Sequence, residues 1–135
     1  MIVDTSFLLD IVDDVDAAVE KERELEAEAV PLVIPSMTVL ELYIGVGRIA
    51  NTREEHRKVG AVLDSYPLVD MTPSVSRRAG RLLGERMAEK AAGEGPGIGK
   101  GDAAVAATAL ERDESVLAAD GDFENIAGVT VETYR

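Results

Sequence analysis

Four acidic residues stand where predicted strands or loops pass into the next element, and carboxylates in such places can hold a metal ion. They are Asp4, Asp102, Asp120 and Asp122. Asp4 ends the first apolar run of the chain, and Asp120 and Asp122 directly follow a later one. Active sites of parallel α/β sheets lie at the carboxyl ends of the strands. We therefore expect these side chains at one edge of one sheet.

Glu41 is a fifth candidate, because it falls on the apolar side of a helix that is predicted to begin after Ser36. The apolar stripe predicted for this helix consists of Met37, Leu40 and Ile44. A carboxylate that projects from a packed face must be paired, protonated or bound to a cation. An ion pair with Arg48 or Arg78 explains Glu41 equally well when it is considered alone.

Each of the other carboxylates also has an ordinary structural interpretation when it is considered alone. Asp4, Asp102 and Asp120 have the residue type that caps helices, and Asp122 lies in a sequence typical of turns. Together, however, these carboxylates repel one another unless a divalent cation lies between them. A single histidine and the absence of cysteine exclude multi-histidine zinc and thiolate sites. Oxygen ligands alone indicate Mg²⁺ or Mn²⁺.

Alternating short apolar runs and amphipathic segments predict the fold that must position these residues. Five segments have the pattern of buried strands: 1–4, 31–34, 67–71, 115–119 and 129–134. Helical patterns lie between them, and Thr72 followed by Pro73 is typical of a helix start. The glycine-rich segment 93–101 predicts a loop, with a helix of small residues beginning at Asp102. This alternation predicts an α/β fold with a mostly parallel sheet of about five strands, covered on both faces.

The composition indicates one globular domain over residues 1–135. Hydrophobic residues make up 46% of the chain but aromatic residues only 4%, so the core must be aliphatic. No basic-then-apolar leader opens the chain and no apolar run is long enough to span a bilayer, so we expect a cytoplasmic protein with no membrane partner. The absence of cysteine fits a reducing compartment.

The net charge of −12 is unusual for a protein that would bind nucleic acid. Only four of the 14 cationic residues are lysine. An acidic surface poor in lysine resembles proteins of salt-loving organisms, in which molar salt shortens the Debye length to about 3 Å. A mesophilic acidic protein that avoids polyanions is the alternative.

Four motifs give the chain a resemblance to the PIN domain, and in their order and spacing to the VapC-type toxins of toxin–antitoxin pairs. The motifs are IVDTS at 2–6, VLEL at 39–42, GDAAVAA at 101–107 and LAADGDF at 117–123. The resemblance covers essentially the whole chain. It implies a three-layer α/β/α fold and an endonuclease that cuts single-stranded RNA with Mg²⁺ or Mn²⁺. The salt-adapted composition suggests a halophilic archaeon as the source.

The resemblance also implies roles for individual residues. The implied catalytic residues are Asp4, Glu41, Asp102 and Asp120, and the implied metal ligands are Asp4, Asp102, Asp120 and Asp122. We prefer Asp120 as the inner ligand and Asp122 as an outer or second-metal group. Thr5 and Ser6 match the small hydroxyl residues that support the first Asp.

Three cationic residues are candidates for RNA contact, namely Lys100, Arg77 and Arg81. The two arginines lie in a helix that also carries Glu85 and Glu89, so a salt-bridged solvent face is an equal interpretation. VapC-type toxins are held inactive by a small antitoxin and form homodimers, so the resemblance implies a VapB-like partner and a second copy of the chain. The alternative function is a non-catalytic acidic protein that binds a basic partner. Glu41 favours the nuclease, since a carboxylate on a packed face would be of no use to such a protein.

Overall fold

The computed structural model describes residues 1–49, 53–90, 93, 95, 97–119 and 121–135. Its strands are short and all parallel to their neighbours. They are β1 (Ile2–Val3), β2 (Ile34–Pro35), β3 (Leu68–Val69), β4 (Val116–Ala118) and β5 (Val131–Thr133). Parallel pairing requires a crossover between successive strands, and the helices supply these connections.

The strands form one three-stranded group, β1-β4-β5, and one two-stranded group, β2-β3. A parallel bridge between Ile2 and Val33 joins the groups, and the Val3 amide donates to the Val33 carbonyl at 3.0 Å. The spatial order is therefore β3-β2-β1-β4-β5. Because β1 and β4 are neighbours in register, the segments that follow Val3 and Ala118 leave the sheet side by side.

Helices cover both faces of this sheet. They are α1 (Thr5–Val12), α2 (Asp16–Ala27), α3 (Ser36–Arg48), α4 (Arg53–Asp64), α5 (Pro73–Glu89) and α6 (Lys100–Arg112), with a short 3₁₀-helix at Asp122–Asn125. Ile2 packs in one apolar cluster with α5 and α6, whereas Val3 packs in another with α1 to α4. Alternate strand residues thus face opposite cores. The predicted three-layer α/β/α architecture is confirmed.

No helix within the described residues is both long and apolar enough to cross a membrane.

Helix α6 is buried along most of its length because its residues are small. Every residue from Ala103 to Ala109 is buried, and five of these seven are alanine. Small side chains let a helix approach the sheet and the neighbouring α5 closely. The aliphatic core predicted from the composition is therefore an alanine-rich helix packed on a valine- and leucine-rich sheet.

The predicted apolar stripe of α3 is wrong. Leu40 and Ile44 are each 53% exposed, and the packed face instead carries Thr38, Leu42 and Val46. Apolar residues occur on both sides of this helix, so periodicity alone does not decide which side is buried. Glu41 lies at the border of the packed face and is partly buried.

The Thr38 hydroxyl replaces a backbone hydrogen bond that is missing from the sheet next to the candidate site. Pro35 ends β2 and has no amide hydrogen, so it cannot continue the ladder to the Val3 carbonyl. The fully buried Thr38 hydroxyl donates to that carbonyl at 3.1 Å instead. This hydrogen bond ties α3 to the residue that precedes Asp4.

We expect Thr38→Val to lower the free energy of unfolding by about 1–3 kcal/mol, because the buried Val3 carbonyl loses its donor while side-chain volume is kept. Urea unfolding followed by circular dichroism would measure this. The exposed Thr133→Val is the control and should change little. An unchanged midpoint in Thr38→Val would show that the hydroxyl contributes nothing to the pairing of β1.

Candidate metal centre at the carboxyl edge of the sheet

Asp4 leaves the sheet at the carboxyl end of β1. Its amide makes the last hydrogen bond of the β1–β4 ladder, to the Leu117 carbonyl at 2.9 Å. The next donor along the β4 chain, the Ala119 amide, donates to the Ser6 hydroxyl at 3.1 Å. The segments that follow β1 and β4 therefore separate at Asp4, and the Asp4 carboxylate lies where they separate.

Ser6 orients the Asp4 carboxylate. Its hydroxyl accepts from Ala119 and donates to Asp4 Oδ2 at 3.0 Å. A hydroxyl has one proton, and since the amide occupies a lone pair, that proton is directed at the carboxylate. Ser6 thus connects the end of β4 to the Asp4 carboxylate.

Glu41 reaches the same edge from α3. Thr5, the residue after Asp4, donates its hydroxyl to Glu41 Oε1 at 2.9 Å. The same carboxylate lies against Gly101 in the first turn of α6, where a Cβ would be 2.7 Å from Oε2. Of the two alternative ion-pair partners, Arg78 instead pairs with Glu111 at 3.4 Å, and Arg48 is exposed in the last turn of α3.

Asp102 is the third residue of α6, since the helix begins at Lys100 rather than at Asp102 as predicted. Gly99 occupies the N-cap position, and its amide donates to Asp102 Oδ2 at a long 3.4 Å. A carboxylate in the first turn is also favoured by the helix dipole. Asp102 therefore stabilises the start of α6 from inside the helix while its carboxylate stays at the sheet edge.

Burial and neighbouring charges change the pKa of two carboxyl groups at this edge, Asp4 and Glu41. Burial is the largest cause that raises the pKa of Asp4, to about 6, and the charges of Asp102 and Glu41 also raise it. Hydrogen bonds from the Ser6 hydroxyl and from the backbone of Thr5 lower it. Burial also raises the pKa of Glu41, the Thr5 hydrogen bond lowers it, and Asp102 raises it. Desolvated, mutually repelling carboxylates are the arrangement that a divalent cation relieves.

The donor set consists of hard oxygen atoms, as Mg²⁺ or Mn²⁺ requires. Among the described residues, no group of three or more acidic or histidine side chains is closed enough to hold a metal ion by itself. Mg²⁺ commonly keeps several waters and binds one or two carboxylates together with substrate phosphates. The carboxylates at this edge fit such an open site in chemistry and in electrostatics.

The fourth acidic motif is described only in part. Asp120 lies outside the described residues. Asp122 begins the 3₁₀-helix with an exposed side chain, and the buried Phe123 anchors this helix in the core. The structure thus brings Asp4, Glu41 and Asp102 together and places Asp122 on the surface after β4.

The predicted RNA-contact residues occupy two different regions. Lys100 is exposed in the first turn of α6, two residues before Asp102. Arg77 and Arg81 instead line a surface cavity with Ser74 and Glu111. Glu111 is nine residues beyond Asp102 in α6, or about 13 Å along the helix. The two arginines therefore lie towards the opposite edge of the sheet.

Arg86, in the same basic stretch of α5 as Arg77 and Arg81, lies next to the candidate site. Its Nη1 donates to the Asn125 carbonyl at 3.3 Å, and Nη2 is 3.4 Å from the position of a Cβ on Gly97. It therefore touches both segments that flank the carboxylates, the 3₁₀-helix and the loop before α6. The antiparallel course of α5 and α6 brings it there, which residue spacing alone does not reveal.

A family model for the PIN domain matches residues 1–129. The chain belongs to the PIN domain family. The resemblance drawn from the four acidic motifs is thereby confirmed. A search of curated proteins gave no significant match.

Solved structures similar to this PIN domain include chains of toxin–antitoxin complexes. VapBC2 from Rickettsia felis, bound to a promoter DNA fragment, matches with a TM-score of 0.84 and 18% identity over 99% of this chain and 98% of that one. VapC20 from Mycobacterium tuberculosis, a toxin that cleaves the sarcin–ricin loop, matches with a TM-score of 0.66 and 20% identity over 96% and 95%. FitAcB from Neisseria gonorrhoeae matches with a TM-score of 0.74 and 18% identity over 96% and 94%. At these identities the matches show a shared fold.

The raised pKa of Asp4 predicts a pH-dependent stability in the metal-free protein. Asp4 ionises near 3.8 in the unfolded chain and near 6 in the folded protein. The folded state therefore binds the proton more tightly, and stability falls as the pH rises from about 4 to about 6. Relative to wild type, Asp4→Asn should gain about 2–3 kcal/mol of unfolding free energy across that interval.

Urea unfolding in EDTA at fixed KCl concentration, repeated at several pH values, would measure this difference. Asp64→Asn is the control, since it removes an exposed carboxylate at the end of α4. If the difference in unfolding free energy between wild type and Asp4→Asn stayed constant with pH, ionisation of Asp4 would not destabilise the folded protein.

Proposed function

We propose that this PIN domain is a Mg²⁺- or Mn²⁺-dependent endonuclease that cuts single-stranded RNA, acting as the toxin of a toxin–antitoxin pair. The observation that carries the proposal is the convergence of three carboxylates at the carboxyl edge of the sheet: Ser6 holds Asp4, Thr5 holds Glu41, and Glu41 lies against Gly101, the residue before Asp102. Membership of the PIN family supports a nuclease. The fold shared with VapBC complexes supports the toxin role.

In this proposal the metal is held by Asp4, Asp102, Asp120 and Asp122, and Glu41 completes the catalytic set with Asp4, Asp102 and Asp120. A bound divalent cation would acidify a water and neutralise charge that develops on the scissile phosphate. Ser6 holds Asp4 and Thr5 holds Glu41, so both carboxylates are oriented before substrate arrives. This preorganisation is what positions a phosphodiester for in-line attack.

Cations near the edge would guide the RNA backbone. Lys100 is exposed beside Asp102 and is suited to contact a phosphate next to the cleaved bond. Arg77 and Arg81, which lie farther away, would contact a distal part of the strand. Phosphate contacts of this kind position a nucleic acid without selecting its sequence.

A protein partner is supported by the exposed side of α3. Leu40, Tyr43 and Ile44 are 53%, 40% and 53% exposed, which leaves an apolar stripe next to Glu41. Such stripes are typical of protein interfaces. We propose that a VapB-like antitoxin and a second copy of this chain are the partners, and that the protein acts in the cytoplasm as the single domain 1–135.

The nuclease proposal predicts cleavage of a mixed single-stranded RNA pool by the purified chain with Mn²⁺ in molar KCl. EDTA should abolish it. Asp4→Asn should lower the rate at least about 100-fold, since even the loss of a residue that only supports a metal ligand costs about 10- to 100-fold. Gel or mass-spectrometric analysis of the products would measure this.

The folded Asp64→Asn variant, purified in the same way, should cut as wild type does. Loss of cleavage in Asp4→Asn beside it would exclude a contaminating nuclease. If folded wild type binds no divalent ion and cuts no RNA, the nuclease proposal fails. The result would favour the alternative, an acidic protein that binds a basic partner.

The net charge of −12 predicts an unusual salt dependence, which the proposed halophilic origin would explain. Most nucleic-acid binders lose affinity as salt rises. Here cleavage should increase from dilute buffer towards molar KCl, because screening reduces repulsion between the acidic protein and RNA. Rates and circular dichroism measured over the same KCl series would separate RNA approach from folding. An optimum below about 0.15 M KCl, in protein that stays folded, would contradict salt adaptation.

A further inference from the structure

Gly101 is in contact with the carboxylate of Glu41. A Cβ placed on it would lie 2.7 Å from Oε2, 2.8 Å from Cδ and 2.9 Å from Oε1. These separations are shorter than van der Waals contact, so one of the two groups would have to move. Several other helical glycines have open space in that direction, namely Gly45, Gly47, Gly60, Gly80 and Gly84.

The backbone of Gly101 does not itself require glycine. The residue lies in the first turn of α6, in a helical conformation that alanine adopts more readily. Glycine is therefore unfavourable for the helix, and what it provides here is space. The Glu41 carboxylate occupies that space.

The opposite side of the Glu41 carboxylate is fixed as well. Thr5 donates to Oε1 at 2.9 Å, so the carboxylate lies between a hydrogen-bond donor on α1 and the bare Cα of Gly101 on α6. Asp102 is the next residue along α6. The spacing between the second and third acidic motifs is thus set by direct contact at Gly101.

We propose that Gly101 is a positioning residue that fixes the Glu41 carboxylate relative to Asp4 and Asp102; this rests on the proposed metal-dependent function of that site. Side chains larger than hydrogen at position 101 displace Glu41 or break its hydrogen bond to Thr5. Glu41 lies beside the proposed ligands Asp4 and Asp102, and changes to groups that support metal ligands commonly cost about 10- to 100-fold in metal affinity. A displacement of Glu41 would therefore weaken metal binding without unfolding the protein.

The test is Gly101→Ala, because it should have opposite effects on the fold and on the site: stability should not fall, whereas metal binding and cleavage should. In EDTA its melting temperature should equal or exceed that of wild type, since alanine favours the helix. Mn²⁺ affinity measured by calorimetry, and RNA cleavage with Mn²⁺, should each fall about 10- to 100-fold. Gly80→Ala in α5 is the matched control. It adds the same methyl group to a helix where nothing lies within 4 Å, so affinity and cleavage should stay at wild-type values.

A double variant tests whether the effect passes through Glu41. Glu41→Asp withdraws the carboxylate by one methylene, so that the Cβ at position 101 no longer meets it. In the Glu41→Asp background, adding Gly101→Ala should change Mn²⁺ affinity by less than about threefold, compared with the loss of about 10- to 100-fold expected in the wild-type background. Such a difference between the two backgrounds would show that positions 41 and 101 are strongly coupled. Equal losses in both backgrounds would overturn the proposal.

A structural readout keeps the proposal testable even if the protein cuts none of the RNAs tried. The nuclear magnetic resonance shifts of the Thr5 amide and methyl group should move in Gly101→Ala and stay in place in Gly80→Ala. Unmoved Thr5 signals together with unchanged Mn²⁺ affinity would overturn the role of Gly101. Failure of the proposed function would appear separately, as wild type indistinguishable from Asp4→Asn in metal binding and cleavage.

Discussion

The partial burial of the Asp4 carboxylate is the constraint on which the rest of this edge depends. Asp4 follows a strand that is buried on both faces, so its backbone position is set by the core rather than by solvent. Removal from water raises its pKa to about 6, and two further carboxylates approach it. In a folded protein without a counter-charge, this arrangement costs stability. The surrounding residues are arranged so that the ionised carboxylates are nevertheless held in place.

The supports come from main-chain groups that the sheet leaves unused. The Ala119 amide, which no longer finds a partner on β1, orients the Ser6 hydroxyl towards Asp4. The Val3 carbonyl, which Pro35 cannot reach, receives the Thr38 hydroxyl and ties α3 to β1. Both hydroxyl groups fill gaps in the parallel ladder at the point where β1 ends. The edge of the sheet therefore supplies order as well as location to the carboxylates.

The parts of this arrangement that could be predicted from the sequence follow from local patterns. The strand ending at Asp4, the alternation of strands and helices and the glycine-rich approach to Asp102 each depend on neighbouring residues. The side of α3 that is buried could not be predicted, because Leu40 and Ile44 form as good a stripe as Leu42 and Val46. Tertiary packing decides between two such stripes, and here it leaves the first one exposed.

Contacts between distant segments were likewise beyond prediction. The approach of Glu41 to Gly101 joins residues of α3 and α6, and no periodicity in either helix encodes it. The placement of Arg86 depends on the direction in which α5 runs, which spacing along one helix does not give. The sequence indicates which residue types are available for chemistry. The distances between them are a property of the packed fold.

Within the described residues, the Asp4 and Glu41 carboxylates of the candidate site have no positively charged partner that shifts their pKa. Burial and neighbouring carboxylates raise the pKa of Asp4 and Glu41, and no lysine or arginine of the described part of the chain is among the groups that perturb either residue. A phosphate entering this edge would meet carboxylates on a protein of net charge −12. In the proposed function, a divalent ion held by these carboxylates would offset their charge locally and so let a phosphate approach. The same repulsion that destabilises the metal-free edge would provide the driving force for binding such an ion. Under the proposed function, stability and activity at this site would therefore follow from one electrostatic cause.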